Sequence, residues 1–468
     1  MKTYEKIFIN GKWQEANSND YKEVTNTATE EVIAKVKSST ENDVDQAVQA
    51  AKNAFNEWNE LKPEERAEYV QKILDGIKER QEEIAETITK ELGSAKKFSK
   101  NTQAQISVRE MEATLKDFKN YTFEEELNNT TVLKEGAGVV ACITPWNYPL
   151  NQIQRKVTPA LLAGNTVVVK PASETPLTAF IYAEIVEKAG LPAGVFNLVT
   201  GKGSTIGDYL AGHEDVAVIS FTGSTEVGKG LYEKASTNVK KIVLELGGKS
   251  VMLYLEGGDL EAAIKQSAGT VIDNQGQTCS ALSRLLVPKE KLEETEAFIK
   301  EYYKDIKVGN PADDDVRVGP MVSEDQYNTV LDYIKKGKEE GAEVLVGGKA
   351  IEGKGFFIEP TVFTNVTNDM TIAREEIFGP VLTVLTYDTV EEAIEIANDS
   401  PYGLSGAVVG PQEEAVAVAR KLRTGNVTVN QGDRNPSAPF GGYKESGFGR
   451  ENGTYAIEDY VELKAIFK

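Results

Sequence analysis

Apolar residues recur along this chain in two rhythms, and the change of rhythm marks its parts. Between Glu41 and about Phe118 the period is helical. Val44, Ala47, Ala51, Phe55 and Trp58 fall three and four residues apart, and further helices are predicted over about 63–92 and 101–118. Before them, KIFINGKW (6–13) alternates apolar and polar around Asn-Gly, which predicts a short hairpin. After them, residues 121–140 turn to strand character about Asn128-Asn129. That stretch is polar and lies between helices, so it is either an arm pairing outside its own domain or a surface hairpin. The helical region reads as packing around a later sheet, with no catalytic constellation in it.

From residue 138 the chain alternates. Apolar strand runs at 138–145, 165–171, 195–201, 216–224 and 241–248 are separated by helical runs ending near Leu162, Ala189, Ala211 and Ala235. Such alternation predicts a parallel, doubly wound sheet, with Cys142 as a core residue. Ligands of such sheets bind at the carboxyl ends of strands, where Asn147, Lys170, Thr222, Ser224 and Glu245 fall. A second α/β series begins near Ser250, with strands VMLYLE, RLLVPK, AEVLVGG and VLTVLTY and helices EAAIKQSAGTVI, KLEETEAFIKEYY and EEAIEIAND. After AVVG (407–410) and NVTVN (426–430), the chain enters a loop rich in Gly, Pro and Ser. It closes on YAIEDYVELKAIF, a strand-like segment and a candidate partner for 121–140.

Composition narrows the function. The 468 residues suit two or three domains, and a net charge of -21 argues against nucleic-acid or anionic-membrane surfaces. Two distant cysteines give neither a disulfide framework nor metal spacing. The only histidine, His213, sits in a turn, so a Ser-His-Asp triad, a Cys-His pair or a multi-His metal centre is hard to build. No apolar leader or spanning segment is legible, and a cytoplasmic protein is expected.

The candidate chemistry centres on Cys279, in TVIDNQGQTCSALSR (270–284). A free cysteine is more often a small core residue. Polar neighbours on a Gly-containing turn also suit a nucleophile, because the thiolate needs access and stabilisation. Glu245 lies inside the apolar run IVLELGG. It is either a salt-bridged structural residue or a carboxylate raised by desolvation into the range of a general base. Asn147 in ITPWNYP is a turn cap or an oxyanion donor. FTGSTEVG (221–228) and GKGSTIG (201–207) place glycines between strand and helix, where backbone N–H groups can approach a pyrophosphate. Each alone is more often a plain turn. Read as adjacent strand ends, the two together point to a dinucleotide. Lys170 is a solvated strand end or a ribose or phosphate ligand.

Seven motifs occur in one order over almost the whole chain: ITPWNYP, VVVKPASETP, FTGSTEVG, LELGGKS, NQGQTC, EEIFGPV (375–381) and PFGGYKESGFGRE. Together they resemble the NAD(P)-dependent aldehyde dehydrogenase superfamily. The resemblance implies an α/β fold with a Rossmann-like cofactor domain (1–120 and 138–247), an α/β catalytic domain (248–447) and a small bridging β arm (121–137 and 455–468). It implies a homodimer or homotetramer and a small-molecule aldehyde substrate. Cys279 would attack the aldehyde. Asn147 and the Cys279 N–H would hold the oxyanion, and Glu245 would activate water against the thioester. CoA-acylating relatives commonly lack that glutamate, so its presence favours hydrolysis. Thr144, Pro145, Trp146, Lys170, Gly203, Thr222, Gly223, Ser224, Leu246, Glu376 and Phe378 would line the cofactor.

Ser173 stands where strictly NAD-using members often carry a glutamate, so NADP should be accepted alongside NAD, the serine donating to a phosphate. Tyr148, Arg155 and Asp273 fall at substrate-pocket positions. Succinate-semialdehyde enzymes typically carry arginines at the last two. An acid at 273 should repel a carboxylate and favour a neutral or cationic aldehyde. The alternatives are a succinate-semialdehyde-type enzyme, a cofactor-independent thiol esterase, and a relative keeping the fold alone. The last predicts loss of the chemical residues, which are all present.

Overall fold

The computed structural model describes residues 1–468, which build two large sheets and two small ones. The first large sheet has eight strands, in the order Gly447–Phe448, Lys241–Glu245, Val216–Thr222, Val139–Ile143, Thr166–Lys170, Phe196–Leu198, Lys6–Ile9 and Lys12–Glu15. Its five central strands are parallel, and the strands beyond them are antiparallel additions. Along Val139–Ile143 the faces alternate as a pleated strand requires. Val140 and Cys142 join the core formed with Pro63–Glu79, Ala104–Phe118 and Pro149–Leu162, while Val139, Ala141 and Ile143 pack with Glu41–Glu60. That last helix starts where it does because Thr40 and Asp43 form a reciprocal capping box.

Register sets up the site. Thr222 lies opposite Glu245, Phe221 opposite Ile143, and Ile143 opposite Lys170. Strands spaced about 4.8 Å apart therefore deliver Lys170, Ile143, Thr222 and Glu245 to one edge. Val139–Ile143 comes first of the parallel strands and has later ones on both sides. The order reverses there, and such a switch point opens a crevice at the carboxyl ends.

The second large sheet runs Glu343–Val346, Thr361–Thr364, Val381–Tyr387, Arg284–Pro288, Val251–Tyr254, Ser405–Val409 and Asn426–Val429. All its pairs are parallel except the first. Strand Thr361–Thr364 and helix Glu324–Glu339 were not expected. The strand is short and follows a proline, and the helix buries only Val330, Ile334 and Gly337 beneath charged residues. Also unexpected is the small sheet Lys2–Tyr4, Glu31–Lys37 and Tyr21–Asn26, in which only Val24, Ala34 and Val36 are buried.

The other small sheet takes residues 124–136 of the stretch 121–140, whose last two residues instead open the strand Val139–Ile143 of the first large sheet. Glu124–Leu127 and Thr130–Gly136 form a hairpin, and Val461–Phe467 pairs with it from Val461 opposite Gly136 to Phe467 opposite Thr130. The strand expected from Tyr455 begins only at Val461. Thr454–Tyr460 is helical instead, because Ala456, Ile457 and Tyr460 turn together into the core, where the Tyr460 hydroxyl meets Ser220 Oγ at 2.7 Å. No helix is long and apolar enough to cross a membrane.

Candidate active site

Helix Leu260–Ile272 ends in a strained turn. Asn274 and Gln275 both sit in the left-handed region, at φ 53° and 57°. Such conformations persist only where the surroundings hold them. Asn274 Nδ2 donates to the carbonyls of Asn147 (3.0 Å) and Gln277 (3.2 Å), and Gln275 Nε2 donates to those of Gly93 (3.1 Å) and Pro320 (2.8 Å). Gln277 Oε1 accepts from the Val322 N–H. A side chain at Gly276 would collide with the Gly379 backbone. The amides around Cys279 were expected to form a polar setting for its thiolate. They are scaffolding: these hydrogen bonds go to backbone groups. The half-buried thiol is pushed up to about 12, by burial first and then by Glu376 and Glu245, with Arg155 and Arg434 pulling the other way. It rests protonated.

Three consecutive residues reach this loop and its neighbour from the first sheet. Trp146 meets Phe378 edge-on at 5.3 Å between ring centroids. Asn147 Nδ2 donates to the Gln277 carbonyl at 3.1 Å. The Tyr148 hydroxyl lies 3.1 Å from Thr278 Oγ1. Asn147 is buried, and its Oδ1 has no partner. The Thr144 N–H donates to the Lys170 carbonyl, which ties the Thr144-Pro145 turn to the neighbouring strand.

Glu245 ends its strand with both carboxylate oxygens buried and unpartnered. Burial, and then the charge of Glu451, hold it well above the usual carboxylate range. The salt-bridge reading fails because neither carboxylate oxygen has a partner, and the cations nearby are engaged elsewhere, Lys156 and Arg155 with other acids and Arg450 with the carbonyls of Gly442 and Gly449. Lys156 Nζ lies 2.7 Å from Glu451 Oε1 and 2.7 Å from Thr222 Oγ1, and Arg155 bonds Glu110 through Nε (2.9 Å) and Nη2 (2.5 Å).

Around the crevice, Lys170 is buried without a carboxylate partner, and burial lowers it to about 8. Glu376 accepts from the Gly248 N–H at 3.0 Å, and burial raises it to about 7. Phe378 is left-handed at φ 55°, its carbonyl held by Gln326 Nε2 at 3.0 Å. Bare glycines make room here: a side chain at Gly247 would strike the Glu376 carboxylate, and one at Gly228 would strike Leu246. Gly207 packs against the Lys170 stem, and Gly203 opens the helical turn before it. Ser224 caps helix Thr225–Ala235. An unpaired buried lysine, bare glycines and a helix start on one crevice fit a dinucleotide.

Several expectations need correction. The two glycine turns follow Phe196–Leu198 and Val216–Thr222, which are separated by two strands rather than adjacent. The Gly223 N–H is consumed by the Glu245 carbonyl, so it cannot serve a pyrophosphate, and the Thr222 hydroxyl is turned to Lys156. Ser173 Oγ donates to the Gly201 carbonyl at 3.0 Å, so its proton is committed. Asp273 is paired with Arg317 Nε at 2.9 Å, and the repulsion expected of it is neutralised. Arg155 is neutralised by Glu110 and stacks on Phe440, 4.6 Å from the ring centroid. It does line a cavity of about 430 Å³, together with Asn101, Thr102, Arg434, Phe440 and Asn452.

Lys156, Glu451, Glu110 and Gln103 did not stand out in the sequence. One signal was available: helix Pro149–Leu162 is buried on every face yet carries Asn151, Gln152, Gln154, Arg155 and Lys156. Polar groups in so buried a helix must have partners.

The model of the aldehyde dehydrogenase family matches residues 13–466. A Staphylococcus haemolyticus protein provisionally named an aldehyde dehydrogenase is 46% identical over 470 residues, covering 100% of this chain and 99% of its own. Aldehyde dehydrogenase C of Pseudomonas syringae, solved as a cysteine-to-alanine variant with NAD+ and octanal, superposes with TM-score 0.97 at 42% identity, covering 99% of this chain and 96% of that one. Betaine aldehyde dehydrogenase of Staphylococcus aureus with NAD+ gives 0.95 at 38%, covering 99% and 94%.

Proposed function

The chain belongs to the aldehyde dehydrogenase family, an NAD(P)-dependent enzyme of mixed α/β fold, and we propose that Cys279, Glu245 and Asn147 carry its chemistry. The observation that carries this reading is Glu245: a buried, unpaired carboxylate at the end of a parallel strand, close enough for its charge to act on the Cys279 thiol. The thiol rests protonated, so a base must take its proton, and no histidine is near. Glu245 does so. The sulfur adds to the aldehyde carbon, and the carbonyl electron pair moves to oxygen. The Cys279 N–H, which has no acceptor in the protein, and the second proton of Asn147 Nδ2 face that oxyanion.

NAD(P)+, when bound, supplies the acceptor for the hydride lost from this carbon, and a thioester on Cys279 remains. Glu245 first gives the thiol proton up to solvent and is a carboxylate again. It then takes a proton from water as hydroxide adds to the thioester carbon, and the adduct collapses by breaking the C–S bond, the leaving Cys279 thiolate recovering that proton as the carboxylic acid is released. Glu451 holds Lys156 in its own ion pair, which leaves the Glu245 carboxylate unpaired and free to cycle.

We assign cofactor binding to the domain of residues 1–120 and 138–247, with Lys170 on the adenosine ribose, Glu376 on the nicotinamide ribose and Trp146 and Phe378 beside the ring. Residues 248–447 supply the thiol. Ser173 contributes through what it lacks, since position 173 itself sets no carboxylate against a 2′-phosphate; the acid whose charge reaches Lys170 is the neighbouring Glu174. Quenching of tryptophan fluorescence is expected to give Kd values for NADP+ and NAD+ within about tenfold of each other, and a preference for NAD+ above about a hundredfold would contradict the assignment.

The substrate we assign is a neutral aldehyde, because Arg155 and Asp273 are each cancelled by a partner and the Pseudomonas syringae relative holds octanal. Growth of the reduced-nicotinamide absorbance with octanal, hexanal, betaine aldehyde and succinate semialdehyde tests this. Octanal or hexanal should lead, and a lead for succinate semialdehyde would reject it.

We also assign the arm at 121–137 and 455–468 to assembly of a homodimer or homotetramer. Strand Val461–Phe467 is an uncovered sheet edge, and it exposes Leu463 (68%), Ile466 (41%) and Phe467 (78%). Natural proteins seldom leave such an edge open. The variant Leu463→Asp with Phe467→Asp should fall to protomer mass by light scattering, and an unchanged mass would contradict the role.

A further inference from the structure

We propose that Gln103 is a positioning residue for the oxyanion site, an inference that rests on the reading of Asn147 as oxyanion donor. Gln103 lies 44 residues before Asn147 in sequence and outside the loops that carry the chemistry. It is the last residue of a π-helical turn, Ser99–Gln103, between Lys96–Phe98 and Ala104–Phe118. A π turn holds one residue more than the regular turn, so the helix beyond it is rotated by about 100° relative to an unbroken α-helix. That rotation brings Gln103 inward, to 1% exposure, while the adjoining Asn101 and Thr102 line the cavity beside Arg155.

The Gln103 amide sits where the two catalytic loops meet. Its Nε2 donates to Asn274 Oδ1 at 2.9 Å and to the Asn147 carbonyl at 3.2 Å, with Ser94 Oγ at 3.5 Å. Asn274 Nδ2 donates in turn to the carbonyls of Asn147 and Gln277, and Asn147 Nδ2 to the Gln277 carbonyl. The result is a closed ring of amides. Three carbonyl-type oxygens stand within reach of Gln103 and Asn274 nitrogens, which fixes which way both amides point. Gln103 thereby holds the main chain of Asn147 and clamps the side chain of the left-handed Asn274, in the loop that goes on to Thr278 and Cys279. The Asn147 amide is aimed from both sides before any aldehyde arrives. A displacement of about 1 Å in such a group costs on the order of a hundredfold in rate.

The test is a double-mutant cycle between Gln103→Leu and Asn147→Ala, with Gln103→Met, which fills the volume with a flexible chain, as the second variant. Each protein is read by oxidation of octanal and by hydrolysis of p-nitrophenyl acetate, which uses the same oxyanion and no hydride. Both Gln103 variants should lower kcat about ten- to a hundredfold in either reaction. KM, the Kd for NAD+ and the rate of Cys279 alkylation by iodoacetamide should stay within about threefold. In the double variant the Gln103 change should add less than about twofold to the loss from Asn147→Ala. Losses that multiply in the cycle, or kcat held within about threefold in both Gln103 variants, would overturn the proposal. Ester hydrolysis without octanal oxidation in the unmodified protein would count against the dehydrogenase reading instead, and the ester cycle would still decide the role of Gln103.

Discussion

Cys279→Ala is expected to lower octanal oxidation by at least about four orders of magnitude, the usual consequence of removing a covalent nucleophile. Cofactor affinity should be unchanged, because the residues assigned to the dinucleotide lie on other segments. The contrast that gives this meaning is Cys142→Ala. Cys142 is fully buried in the first sheet, facing helices rather than the crevice. Its loss should cost only stability, on the order of 1 kcal/mol for so small a core side chain. If Cys279→Ala retained more than about a hundredth of the activity, no covalent intermediate could lie on the main path.

Glu245→Gln should stall the reaction halfway. Its steady-state rate is expected to fall about 10²- to 10⁴-fold, the range for a lost general base. A first turnover close to one equivalent of reduced cofactor per active site should survive, more slowly, because water or hydroxide can take the thiol proton once. The pH dependence comes from the raised carboxylate. Its ionised fraction grows as pH climbs through its elevated value, so turnover in the unmodified protein should climb along the same limb, and the variant should lose that limb. Stability runs the other way. The folded protein binds this proton more tightly than the unfolded chain, so the group's contribution is intact below the ordinary value of 4.5 and is lost as pH rises through the folded value. Glu245→Gln should therefore raise Tm relative to the unmodified protein more at pH 8 than at pH 5. An equal shift at both would mean Glu245 is not desolvated.

The residues that react were easier to read from sequence than the residues that hold them. Cys279, Glu245 and Asn147 stand out locally: a cysteine on a polar turn, an acid in an apolar strand, an amide between aromatic rings. Their meeting depends on parallel register and on three successive residues, Trp146, Asn147 and Tyr148, that cross to Phe378, Gln277 and Thr278. The βαβ rhythm was legible because buried parallel strands are uniformly apolar. The strands of the N-terminal small sheet were not, being short and burying only Val24, Ala34 and Val36, nor was the π turn at Gln103, since one extra residue leaves no mark on a helical pattern. Charge was the least legible property. Asp273 read as an acid in the pocket until Arg317, 44 residues on, proved to be its partner. Arg155 likewise depends on Glu110, 45 residues before it. Sequence shows which charges exist, and only folding shows which are cancelled.

Catalysis as proposed turns on an acyl group passing through one sulfur. Mixing the Glu245→Gln protein with NAD+ and octanal, quenching in acid and weighing the intact chain tests it most directly. The expected result is a gain equal to one octanoyl group, located on the peptide containing Cys279 and absent when NAD+ is withheld. A chain of unchanged mass, formed while reduced cofactor accumulates, would contradict it.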